Sequence, residues 1–179
     1  MKKYIFLFVF TLSTCISFGQ DWKQFTSEEF NFSADFPTPP EKTVQSVPTA
    51  VGDIDMNMFM STNTSTSNLI YSIISSSYPL EAFKDATDEY NNTVLDGAVN
   101  GAVTNVNGEL VFDNKVTFQG YPGRSFKIKI TGNFLYINAY LVKNTMMICQ
   151  VICSTKNDKN DDIKRFFDSF KILKTENKK

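Results

Sequence analysis

Phe134-Leu-Tyr-Ile-Asn-Ala-Tyr-Leu-Val142, followed after a Lys143-Asn144 turn by Met146-Met-Ile-Cys-Gln-Val-Ile-Cys-Ser154, is the stretch on which the fold class turns. Side chains alternate across a strand with period two. Leu135, Ile137, Ala139 and Leu141 therefore share one face, while Phe134, Tyr136, Tyr140 and Val142 share the other. Both sets are apolar, which marks a central strand covered on both sides. In the second run Cys149 and Cys153 fall on one face, roughly 13 Å apart at about 3.3 Å per residue. A disulfide needs Cα atoms within ~7 Å, so the pair reads as two small buried hydrophobes. Their spacing also excludes a C-x-x-C redox pair and a zinc knuckle.

Further strands lie upstream. Phe126-Lys-Ile-Lys-Ile130 joins the Phe134 run through Gly132-Asn133, a hairpin signal. Tyr121-Pro122-Gly123 reads as a type II turn, which accepts Pro and then Gly at its central positions. Before it stand Leu110–Phe112 with Val116–Phe118. Nearer the N-terminus, Phe30, Phe32, Ala34 and Phe36 alternate with Asn31, Ser33 and Asp35 as a half-buried strand ending at Pro37. Pro37, Pro39 and Pro40 form a stiff linker, and a weaker strand covers Thr43–Val47. After a turn at Val51-Gly52-Asp53, Ile54, Met56, Met58 and Met60 alternate with Asp53, Asp55, Asn57 and Phe59. Ser61–Asn68 reads as a loop and Leu69–Tyr78 as another strand.

Two segments are helical in period. From Pro79 to about Thr104, Phe83, Tyr90, Val94, Ala98 and Ala102 recur at sevens and fours, with Pro79 at the first helical position. A last helix starts near Asn157 or Asp158, carries the stripe Ile163, Phe166, Phe167 and Phe170, and closes on Lys171 and Lys174. It is expected to dock on Phe134–Val142 and Met146–Ser154. The class that follows is α+β: an antiparallel β-sheet of about six to seven strands covered by helices, in the manner of an α/β/α sandwich.

The N-terminus predicts export. Lys2 and Lys3 precede the apolar run Tyr4–Leu12, and Ser17-Phe18-Gly19 supplies small residues before Gln20. That is the layout of a secretory signal peptide. The run is shorter than the ~20 residues a membrane span needs. Residues 1–19 read as the signal, 20–174 as a single domain and 175–179 as a disordered tail. Leu12-Ser13-Thr14-Cys15 also resembles a lipoprotein box, although Thr14 is larger than the residue usual before the cysteine.

Charge and composition narrow the chemistry. The signal holds two of the 18 basic residues and none of the 19 acidic ones, leaving the remainder at a net charge of −3. A mildly acidic surface is no footprint for nucleic acid. The chain contains no histidine, which removes the histidine-based nucleophile systems and zinc sites. Asp53-x-Asp55-x-Asn57 and Asp158-x-Asn160-x-Asp162 imitate the start of a calcium loop. Met58 and Ile163 stand where the loop needs Gly, and Thr64 and Ser169 where it needs Glu. No catalytic, cofactor-binding or metal residue is nominated.

Three segments carry a family resemblance. Trp22…Phe25 ahead of Phe30-Asn-Phe-Ser-Ala-Asp-Phe36-Pro37, then Gln119-Gly-Tyr-Pro-Gly-Arg124, then Phe166-Phe-Asp-Ser-Phe-Lys171 resemble PsbP-like domains over nearly all of residues 22–173. The resemblance implies an antiparallel sheet between helices. The family includes a lumenal photosystem II subunit, a Ran-binding nuclear import factor and many exported bacterial proteins. It implies binding or assembly work without known catalysis, and its proposed metal sites involve histidine, so no functional residue is carried over. Two readings of function follow. The first is a non-catalytic exported binding or assembly module of the cell envelope, with an envelope protein or small ligand as partner and no integral membrane segment. The second is a carboxylate-dependent hydrolase acting on envelope glycans, for which the sign is two facing acids about 5–10 Å apart.

Overall fold

The computed structural model describes residues 22–49, 52–62 and 66–173. The expected signal, the tail and Lys174 lie outside the described residues. Twelve elements follow one another: β1 (Lys23–Ser27), β2 (Phe32–Phe36), β3 (Glu41–Thr49), β4 (Gly52–Thr62), β5 (Asn68–Ser77), α1 (Asp88–Asn105), β6 (Glu109–Phe118), β7 (Tyr121–Ile130), β8 (Asn133–Val142), β9 (Thr145–Ser154), α2 (Asp161–Ser169) and β10 (Lys171–Ile172). Seven strands form one sheet in the order β3-β4-β5-β9-β8-β7-β6, and a small second sheet has the order β1-β2-β10. Every pairing is antiparallel.

The alternation of β8 shows in the packing. Leu135, Ile137, Ala139 and Leu141 meet Leu95 and Val99 of α1, together with Phe126 and Ile128 of β7. The opposite face carries Tyr140, Met147, Cys149, Val151, Cys153, Tyr71 and Ile73. It packs under Phe32, Ala34 and Phe36 of β2 and Ile163 and Phe166 of α2. On one face α1 packs against β6, β7 and β8, and on the other the small sheet packs with α2 beside it. Pairing of β1 with β2 explains why Ser33 is buried despite its polar side chain. The strand β1 is mostly polar and exposed, so its alternation gives little sign of a strand.

Cys149 and Cys153 are free, and both are fully buried on β9. Burial pushes both thiols up, and nearby Asp158 adds to this at Cys153. They stay protonated and unreactive.

The structure corrects four local expectations. The helix expected from Pro79 is a short 3₁₀ turn, Leu80–Phe83, and α1 begins only at Asp88. Thr87 takes an extended conformation and its side chain accepts from the Tyr90 amide, an N-cap that outcompetes continuation through Asp85 and Ala86. Second, the turn before β7 is Gln119-Gly120, with φ of +49° and +88°, and Pro122-Gly123 lies inside the strand. Gly123 is needed there for close approach, because a Cβ would sit 2.5 Å from the Ala139 carbonyl oxygen. Third, the last helix is capped by Asn160, whose side chain accepts from the Asp162 and Ile163 amides, and Phe170 and Lys171 lie beyond its end. Fourth, α2 docks chiefly against β2 and β5. Phe166 meets Phe36 at 5.2 Å and Tyr71 at 5.3 Å between ring centroids. Beyond the helix end, Phe170 makes the expected contact to β8 by stacking on Tyr140 at 6.0 Å, while Ile163 and Phe167 of α2 line a groove with Tyr136 and Ile137 of β8.

Candidate functional site

Three turns and the end of β10 converge at one end of the two sheets. Asn31, at φ +54°, ends the turn into β2, and its carbonyl accepts from the Leu173 amide at 2.8 Å. Gln119, in the β6–β7 turn, holds β10 from both sides: its Nε2 donates to the Ile172 carbonyl at 3.1 Å, and its Oε1 accepts from the Ile172 amide at 2.8 Å. Lys143, at φ +57°, tips the β8–β9 hairpin. Asn144 beside it donates from Nδ2 to the Tyr78 carbonyl at 2.6 Å and accepts from the Tyr78 amide at 2.8 Å. These bonds fix the walls of a cavity of about 430 Å³.

The cavity is amphipathic. Phe30, Val142, Met147, Ile172 and Leu173 give it apolar surface, while Asn31, Tyr121, Lys143, Asn144 and Thr145 line it with polar groups. Asn144 and Thr145 are spent on Tyr78 and Ser77. Among the described residues, the side chains of Asn31, Tyr121 and Lys143 have no hydrogen-bond or ion-pair partner. The lining holds one cation and no carboxylate. It can neutralise a negative group over an apolar floor, but it offers no pair for general acid–base work.

Two buried cations stand elsewhere on β7. Lys127 is 4% exposed. Its Nζ lies 2.7 and 2.9 Å from the two Asp158 carboxylate oxygens and 3.7 Å from the Phe134 ring centroid. The Tyr136 hydroxyl donates to the same carboxylate. Burial raises the Asp158 carboxyl, but the Lys127 and Tyr136 bonds outweigh it and hold the group below its ordinary 3.8. Burial, and then the bond to Asp158, push the Tyr136 hydroxyl well above its usual range. On the other sheet face the Arg124 guanidinium, 3% exposed, bonds Asp96 of α1 and lies 3.8 Å from Asp113 of β6.

The calcium-like segments have other employment. Asp158 binds Lys127, Asn160 caps α2 and Asp162 sits in its first turn, while Asp53 and Asp55 stand exposed on β4. Asp96 and Asp113 both approach the Arg124 guanidinium, and Asp35, Asp161 and Asp168 line a separate cavity together with Lys164 and Arg165. Sequence reading nominated no site residue. Of the polar cavity residues, Tyr121, Lys143 and Asn144 read as turn formers, whereas Asn31 reads as part of the strand from Phe30 and instead ends the turn before β2. Lys127 could have been found from the hairpin register, since Gly132 sets Lys127 opposite Tyr136.

Cyanobacterial PsbP from Synechocystis sp. PCC 6803 overlays the chain with a TM-score of 0.59, at 11% identity, over 90% of this chain and 99% of that one. The fold is PsbP-like. A Pseudomonas aeruginosa protein of unknown function overlays more loosely, at a TM-score of 0.45 and 11% identity, over 80% of this chain and 90% of that one. No family model matches the chain, and no curated protein matches its sequence. Within the PsbP-like fold the three resembling segments all have structural roles: Phe32–Phe36 is the middle strand of the small sheet, Gln119 clamps β10, and Phe166 and Phe170 fill the core between the sheets.

Proposed function

We propose that the chain is an exported, non-catalytic binding module of the cell envelope, and that the cavity bounded by Asn31, Tyr121 and Lys143 takes a small amphiphile with a negatively charged head. The observation that carries this reading is the unpartnered Lys143 ammonium beside an apolar floor. A volume of about 430 Å³ falls in the range of about 300–1,000 Å³ usual for small-molecule pockets. Lys143, fixed on a hairpin tip, supplies a charge-assisted bond, and Tyr121 and Asn31 add neutral ones. Export rests on residues 1–19, with 20–174 as the mature domain. No helix among the described residues is long and apolar enough to cross a membrane, which says nothing of strands crossing as a barrel.

Octyl phosphate is a suitable probe. Calorimetric titration is expected to show one site. Lys143→Glu should weaken it about tenfold or more, since about 1.4 kcal/mol corresponds to a factor of ten. Equal binding by both proteins, or no binding by either, overturns the assignment. Export has its own readout: mass spectrometry of the exported chain should start at Gln20, and an acylated Cys15 would contradict cleavage after Gly19.

A further inference from the structure

We propose that β6 is a self-pairing edge through which two copies of this chain form a symmetric dimer, joining their seven-stranded sheets. The strand ends the sheet order and, among the described residues, pairs only with β7. All of Glu109–Lys115 is exposed, including Leu110 at 41%, Val111 at 49% and Phe112 at 37%. An open edge of this kind is a template for another strand unless something blunts it. The opposite edge, β3, is guarded: Pro48 interrupts its donors, and Lys42 folds over the Phe30 ring at 4.4 Å while bonding Glu29 at 3.2 Å. No proline interrupts β6.

The sequence of β6 is complementary to itself in one register. An antiparallel pairing with its two-fold axis at Asn114 sets Asp113 opposite the partner's Lys115 and Phe112 opposite the partner's Val116, each twice. Asp113 and Lys115 lie opposite Phe126 and Arg124 of β7, on the α1 face, while Phe112 and Val116 lie on the other face. Each cross-strand pair therefore meets on a common face, the ion pairs on one side and the apolar pairs on the other. Such pairs stabilise a sheet, and like charges directly opposite destabilise it. Moving the axis one residue either way sets Asp113 or Lys115 against its own copy, so the charges select the register. The bulge between Leu110 and Phe112 bounds the regular stretch, which keeps the contact short and the dimer weak and reversible. Two-fold pairing uses both open edges, so the assembly closes at two copies.

Sedimentation equilibrium tests this directly. The natural chain should follow a monomer–dimer equilibrium. Lys115→Glu should raise the dissociation constant about tenfold with no change in the melting curve of the dilute, monomeric chain, by placing a carboxylate opposite the partner's Asp113. Asp113→Lys should do the same, and an equimolar mixture of the two variants should recover association, because opposite charges then face at both positions. If Asp113→Lys fails to fold beside Arg124, Phe112→Ser should weaken the dimer in its place. A natural chain that stays monomeric at every concentration overturns the proposal. So does Lys115→Glu associating as well as the natural chain, or a mixture of folded variants associating no better than either alone.

Discussion

Phe166→Ala is expected to lower the free energy of unfolding by about 3–5 kcal/mol, through lost burial and the cavity left behind. The Phe166 ring is wholly buried and touches Trp22, Phe36, Tyr71 and Phe167. It therefore joins α2, the small sheet and β5 at one point. A nine-residue helix is marginal alone, so its order comes from this docking. Phe170→Ala should cost a similar amount, because that ring is 2% exposed and packs beside the stacked Phe118 and Tyr140 rings. A domain of this size is stable by ~5–15 kcal/mol, so either change removes a large share. Denaturant unfolding monitored by circular dichroism reads the loss. A midpoint for Phe166→Ala close to that of the natural protein would show that the aromatic cluster does not hold the layers together.

Asp158→Ala is expected to cost about 3 kcal/mol, because it leaves the Lys127 ammonium buried without its counter-charge. Lys127→Met should be far milder, since it removes the charge that needs a partner and leaves Asp158 near solvent. This asymmetry distinguishes a desolvated cation from a simple surface pair. The pair also sets an acid limit. The folded carboxyl is more acidic than its ordinary 3.8. Its contribution is fully present above that unfolded value and is lost as the pH falls through the folded one. Asp158→Asn should therefore flatten the fall in stability on acidification below about pH 4. Unchanged acid sensitivity in that variant would assign the fall to other carboxylates.

Where period two was clean, the strands were readable. The runs Phe134–Val142 and Met146–Ser154 are β8 and β9 almost residue for residue, and they lie beside one another in the large sheet. Turn residues were less informative when two signals competed. Pro122-Gly123 looked like the turn, but Gln119-Gly120 takes the positive φ values, and Gly123 serves a close strand approach that only the folded neighbour Ala139 reveals. The break before α1 was hidden because Thr87 caps over a stretch whose apolar spacing continues through it. The cavity was hidden for a different reason. Asn31, Tyr121, Lys143 and Leu173 are far apart in the chain, and Asn31 reads locally as a strand residue while Tyr121 and Lys143 read as turns. Their meeting depends on β10 docking beside β2 and on the Gln119 clamp, both long-range events.

The most direct test of the binding-module account is an amide chemical-shift titration of the mature chain with octyl phosphate. The account predicts that the shifts concentrate on Asn31, Tyr121, Lys143, Asn144 and Leu173, saturate together, and vanish when octanol replaces the phosphate. Shifts centred instead on the groove between α2 and β8, or scattered over the surface without saturation, would contradict it.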